Sequence, residues 1–423
     1  MNHSSATAQQ RLYRIVEEGM CTGCGLCQSV AGVDSVRVEK VTSGYQRPRV
    51  VGPLSHATVD QIYDVCPGIR VQGLAPRLIA SDTRQDSLWG PYRQIVRGWA
   101  ADPEVRFEGS TGGVLTALAG FLLASGRVAF VLHVKASQRH PTFGEPQLSF
   151  SQADVIEAAG SRYGPAAPLL DIRAVLDRGE PFAFIGKPCD ITALNNYGRQ
   201  DPRVDELVRY RLAPVCGGYR SPAATDQFIA SLGIEPDELR SLRYRGRGCP
   251  GPVRAETHSG RVVEKRYADY WGEDETAWSL PFRCKVCPDG IGEGADIAAS
   301  DTWPNDTIDP ATEQLDPGTN ALIVRTLAGQ ELLQAAVHAQ ALALGDEIGP
   351  RDLDSYQPHQ VKKKQAALAR LQGMEDEGRL GIRHQGLRLE ALAAQQPESH
   401  FQRQRAGTRQ RIRDGKASES APE

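Results

Sequence analysis

The chain has no run of eighteen apolar residues anywhere in its 423 positions, so a membrane-spanning helix is not expected. It also lacks a charge excess. Its 49 Lys and Arg against 52 Asp and Glu leave a formal charge of −3, which excludes a whole-protein attraction to nucleic acid. Residues 1–10 lack the basic stretch, apolar core and small-residue cleavage site of a secretory signal. A soluble protein folded in the cytoplasm is the expectation. There is no internal repeat of fixed period. The glycine orders GxGxxG and GxxxxGK[ST] are also missing, which weighs against a nicotinamide or ATP site. At this length two or three domains can each bury a core.

Nine cysteines are present. An odd count without a signal speaks against a disulfide framework, and the spacing says more than the number. Cys21, Cys24 and Cys27 stand two residues apart in CTGCGLC, Cys66 is followed directly by Pro67, and Cys284 and Cys287 form a further CxxC pair. Iron of a cluster needs soft, deprotonated sulfur ligands, and CxxCxxC bends one loop so that three thiolates point inward. Cys66, rigidified by Pro67, reads as the distant fourth ligand. One [4Fe–4S] cluster is expected here, with a four-thiolate zinc site or unrelated buried thiols as the alternatives. A second complete CxxCxxCxxxCP unit is missing, so this module holds one cluster.

Cys189, Cys216, Cys249, Cys284 and Cys287 offer five candidates for four further ligands. Cys189 and Cys216 each follow an expected strand, and neighbouring parallel strands would bring both to one rim of a sheet. Cys189, Cys216, Cys284 and Cys287 are the preferred set for a second [4Fe–4S] cluster, and Cys249 in RGCPG competes for a place in it. Zinc or a redox disulfide remain open, and each of these residues taken alone reads as a buried, unreactive thiol.

The pattern divides the chain into a small ferredoxin-like cluster module over 1–88, an α/β body over 89–350 and a helical extension with a polar, disordered tail over 351–423. A docking arm is the alternative for that tail. The body alternates apolar strands with amphipathic helices, which favours a mostly parallel sheet. A glycine-rich turn opens an apolar helix that leads to a strand over 128–134; strands over 181–185 and 207–215 run into Gly186 and Cys216. Ser221 and Pro222 then cap a helix.

Gly109, Ser110, Thr111, Gly112 and Gly113 at a helix start present N–H groups, two hydroxyls and a positive dipole end suited to a phosphate or pyrophosphate. The same composition also serves as a plain tight turn. Lys187 lies between a strand and Cys189, where its cation suits a phosphate or another anionic group, or else it is a solvated turn residue. His133 in VLHV is a candidate proton donor, or a satisfied core histidine. Arg243, Arg245 and Arg247 alternate along RYRGR and share one face if extended, suited to an anionic substrate or donor, or to a solvated edge.

Together CTGCGLC, CPG, GSTGG, GSRYGP from Gly160, GKPCD from Gly186, CGGYRSP from Cys216, RYRGRGCPG from Arg243 and RCKVCPDGIGEGADIAASDTW from Arg283 resemble the coenzyme F420 hydrogenase/dehydrogenase beta-subunit family. The resemblance spans roughly residues 17 to 350. It implies a noncovalent FAD at the glycine-rich loop and at Ser161, Arg162 and Tyr163, with two [4Fe–4S] clusters feeding it and Lys187 placed to stabilise the anionic reduced flavin or its phosphate. RGRGCPG and CPDGIGEGAD are closer to the 7-hydroxymethyl chlorophyll a reductase and divinyl chlorophyllide reductase branch, which implies ferredoxin as donor. It does not transfer a substrate.

The leading expectation is an FAD- and iron–sulfur-dependent oxidoreductase. A one-electron donor, ferredoxin, reduces the N-terminal cluster, the inner cluster relays, and FAD reduces a small organic substrate by two electrons. Coenzyme F420 as hydride partner is the second reading. A noncatalytic electron-transfer subunit of a larger complex is the third. A homo-oligomer is compatible with all three.

Overall fold

The computed structural model describes residues 6–272, 278–306 and 316–422. In the N-terminal module, Thr7 and Gln10 form a reciprocal capping box that starts the helix Ala8–Glu17, satisfying two otherwise orphaned N–H groups. That helix buries Leu12, Ile15 and Val16. The expected β-prone segment near 35–41 is the strand Val36–Lys40, paired antiparallel with Gln46–Val50. Ser55 caps the helix His56–Val65, which ends directly at Cys66.

The body is built on an eight-stranded sheet. In spatial order its strands are Leu342–Glu347, Gln94–Ala100, Asn320–Val324, Ile297–Asp301, Val208–Pro214, Phe182–Ile185, Phe130–Ala136 and Gly144–Ser149. The four strands from Ile297–Asp301 to Phe130–Ala136 pair parallel. The other four pairings are antiparallel. The expectation of a mostly parallel sheet is therefore corrected to a mixed one. Asn320–Val324 is buried along its whole length, so its apolar run read like a central parallel strand although its direction is reversed. Phe182–Ile185 is likewise almost entirely buried.

Val208–Pro214 and Phe182–Ile185 are parallel neighbours. Their carboxyl ends lead to Cys216 and to the helix Pro188–Tyr197 that carries Cys189, so the two cysteines reach the same rim. A smaller antiparallel sheet, Leu239–Arg243, Val253–Thr257 and Val262–Lys265, packs Leu242, Tyr244, Val253 and Tyr270 into its own core.

The segment read as a polar, disordered tail is a helix, Glu398–Arg413. It carries no broad apolar stripe; Arg405 pairs with Asp376, and Arg409 and Arg413 pair with Glu377. Thr408 and Ile412 are its buried residues. One continuous apolar core joins Leu12 and Ile62 of the N-terminal module, Phe182 and Ile191 of the body, Leu371 and Ile412 of the C-terminal helices, and Ala417 beyond the last of them. No described helix is long and apolar enough to cross a membrane.

Candidate functional site

Cys21, Cys24, Cys27 and Cys66 line one small cavity. Their sulfurs accept from the backbone N–H groups of Gly23, Leu26 and Gln28, and of Gly68 and Ile69 at Cys66. Burial, followed by the charge of neighbouring thiolates, pushes Cys66 up to about 12, and burial raises the other three as well. Such thiols stay protonated unless a cation offsets their charge. The Thr22 hydroxyl is buried beside them with no hydrogen-bond partner. Four soft donors wrapped in N–H groups, with an orphaned hydroxyl next to them, fit a cluster whose sulfurs accept hydrogen bonds.

Cys189, Cys216, Cys284 and Cys287 line a second small cavity together with Lys187, Arg283 and Lys363. Cys249 is not part of it. That thiol is 1 % exposed and sits beside Arg245, Asp301 and Trp303. The preferred inner quartet is thus the one brought together. Among the described residues no group of three or more His, Cys, Asp or Glu is arranged to hold a single metal ion.

The third cavity is large, about 790 Å³, and runs along the carboxyl ends of the central strands. Gly109, Ser110, Thr111 and Gly113 line it, as do Leu115 and Thr116 of the helix Val114–Ala124. Gly113 starts that helix at φ 70°, a left-handed conformation that favours glycine. Gly112 does not line the cavity. Its missing Cβ is explained underneath, where one would stand 2.8 Å from the Asn320 carboxamide oxygen; it is a packing glycine. Ser161, Arg162 and Tyr163 line the opposite stretch, and the Ser161 N–H donates to Ser110 Oγ at 2.6 Å, tying the two loops together. Arg162 donates to the Leu242 carbonyl, while its buried Nε has no partner.

Lys187 belongs to both the large cavity and the inner thiol cavity. Its ammonium donates to Asp190 at 2.7 Å. Burial works against that charge, but the carboxylate overrides it and holds the lysine above its ordinary value. Lys187 is therefore a paired cation and not a solvated turn residue. His133 lines the large cavity and meets the Ser149 hydroxyl at 2.7 Å. Burial lowers it to about 4, which favours the uncharged imidazole near neutral pH. Burial thus disfavours the imidazolium form of His133, while the neutral ring still carries one N–H that can donate.

The RYRGR arginines do not share a face. The strand ends at Arg243 and Arg247 has φ 62°, so alternation stops. Arg243 and Arg247 pair with Glu108. Arg245, 3 % exposed, pairs with Asp301 at 2.9 Å and lies over the rings of Tyr267 and Trp303. Arg245 also donates to the Ser110 carbonyl and to the Thr111 hydroxyl. Asp301, Tyr267 and Trp303 line the cavity and were not singled out as site residues. Asp301 and Trp303 close the SDTW motif, which was the available signal for them.

The three cavities share walls. Cys21 and Thr22 belong to both thiol cavities. Lys187, Cys216, Gly218 and Tyr219 belong to both the inner thiol cavity and the large one.

Two family models match this chain, both for the beta subunit of coenzyme F420 hydrogenase/dehydrogenase: that of its N-terminal part over residues 95–173, and that of its C-terminal part over residues 179–348. An uncharacterized protein of Methanocaldococcus jannaschii is 24% identical over 364 residues, covering 81% of this chain and 93% of its own. A chain of the F420-reducing [NiFe] hydrogenase complex from Methanosarcina barkeri shares the fold, with TM-score 0.55 and 18% identity over 71% of this chain and 98% of that one. The chain belongs to the coenzyme F420 hydrogenase/dehydrogenase beta-subunit family, whose members are oxidoreductase and electron-transfer proteins.

Proposed function

We propose that this protein carries electrons from a one-electron donor, ferredoxin, across two thiol-held sites into a flavin cavity where a small organic substrate is reduced. The observation that carries the reading is the unbroken series of shared walls: N-terminal quartet, Cys21 and Thr22, inner quartet, Lys187 and Cys216, large cavity. Bound [4Fe–4S] clusters at the two quartets would supply one-electron carriage, and FAD in the large cavity would supply two-electron chemistry.

The residues divide the remaining work. Arg283 and the N–H groups around Cys66 stabilise negative charge on the N-terminal thiolates. Lys187 holds a cation at the boundary of the inner quartet and the large cavity, where added electrons raise the negative charge. The Ser110 hydroxyl and the N–H groups of the glycine-rich turn are donors for phosphate oxygens, and the Arg162 guanidinium lines the same cavity. Tyr163, Tyr267 and Trp303 give the cavity an aromatic wall. The substrate takes two electrons and two protons.

Iron, sulfide and flavin analysis of anaerobically purified protein tests this reading. About eight irons and one FAD per chain are expected, and reduced ferredoxin should bleach the flavin absorbance. Protein with both clusters intact that binds no FAD would sink the mechanism. A second reading, reduced F420 as hydride donor, draws on the family description; bleaching by reduced F420 but not by ferredoxin would favour it.

A further inference from the structure

Arg47 is 1 % exposed, though it lies on a short hairpin in a small module. Its guanidinium donates twice to Glu419, Nε to Oε2 at 2.7 Å and Nη2 to Oε1 at 2.9 Å. Nη1 donates to the Gln46 carbonyl, and the group lies 4.2 Å over the Tyr45 ring. It also donates toward the Cys21 sulfur. Glu419 arrives from the far end of the described chain, fixed by its N–H on the Glu17 carbonyl and by buried Ala417 against Gly19. Gly19 in turn accepts from the Arg283 N–H next to Cys284.

A buried bidentate pair is costly to assemble, and replacement by apolar residues is often neutral or better for stability. Its position against Cys21, which walls both thiol cavities, calls for a function of the charge. We propose that Arg47 and Glu419 together set the reduction potential of the N-terminal thiol site, with Arg47 holding positive charge on Cys21 and Glu419 offsetting it. This rests on the cluster reading of the preceding subsection. Reduction adds one negative charge beside Cys21, so a nearby cation favours the reduced state and a nearby anion opposes it.

The two charges predict opposite shifts. In full-length, anaerobically purified protein, potentiometric titration followed by electron paramagnetic resonance should show the N-terminal midpoint falling in Arg47→Met and rising in Glu419→Gln. The double variant should return close to the parent, and Arg47→Lys should stay near it. The N-terminal signal is the one lost, with about four irons, in Cys66→Ala. Mere loosening of the tail would move both single variants the same way, and that result, or no movement in Glu419→Gln with iron retained, overturns the inference. Glu419→Gln keeps the side chain's shape, so it serves if Arg47→Met fails to fold. A parent protein without iron at the N-terminal quartet would instead overturn the cluster reading itself.

Discussion

Arg283 donates from Nη2 to the Pro67 carbonyl at 2.8 Å and from Nε at 3.3 Å, so the residue before Cys284 closes the turn that follows Cys66. Both partners are buried. Arg283→Ala leaves that carbonyl unsatisfied away from water, at a cost of about 1–3 kcal/mol. The expected outcome is a lower urea midpoint together with lower iron content from loosened ligand turns. Unchanged unfolding would show that the turn is held without Arg283.

Lys187 and Asp190 form a pair in which the carboxylate is 1 % exposed and the ammonium about a fifth. Asp190 Oδ2 also accepts from the Lys187 backbone N–H at 3.1 Å. Removing only the lysine charge strands a buried carboxylate, which costs roughly 3 kcal/mol. Lys187→Met should lose that much in equilibrium unfolding, and Lys187→Met with Asp190→Asn should recover most of it. Flavin reduction should stay slow in both, since neither restores the cation between the inner quartet and the large cavity. Recovery of rate along with stability would assign Lys187 a structural role alone.

Cys249 offers a test of the inner ligand set by difference. It is apart from the four thiols of the inner cavity and packs against Gly318. Cys249→Ala should keep about eight irons per chain, whereas Cys189→Ala should lose about four. The measurement is iron and sulfide content after anaerobic purification. Loss of iron from Cys249→Ala with Cys189→Ala intact would reverse the assignment.

Part of each cysteine grouping was legible because that part of its information is local. CTGCGLC makes its own loop, and Cys189 and Cys216 follow strands whose apolar runs are short and well bounded. The glycine-rich helix start was legible for the same reason. Sheet direction was not, because Asn320–Val324 has the same buried pattern in either orientation. Nor was the partner of Arg245, since Asp301 lies 56 residues away, or that of Arg47, since Glu419 lies 372 away. Pairings at that separation leave no periodic trace. The tail's order was invisible for a related reason: it rests on Arg405, Arg409 and Arg413 meeting acids of another helix, and composition alone reads such charges as solvated.

His133 carries the pH dependence that is simplest to test. Its ring is 6 % exposed and bonded to Ser149, and burial lowers it from 6.5 to about 4. The unfolded chain binds this proton more readily than the folded one, so stability rises with pH between the two values. The contribution is fully present above about pH 6.5, declines as pH falls, and is lost through about pH 4. The difference corresponds to roughly 3 kcal/mol. In His133→Gln, which cannot take up the proton, urea unfolding should be less sensitive to acid than in the parent, and the two curves should converge or cross as pH drops from about 7 to about 4.5. Parallel curves would mean that the imidazole titrates in the fold as it does in the unfolded chain.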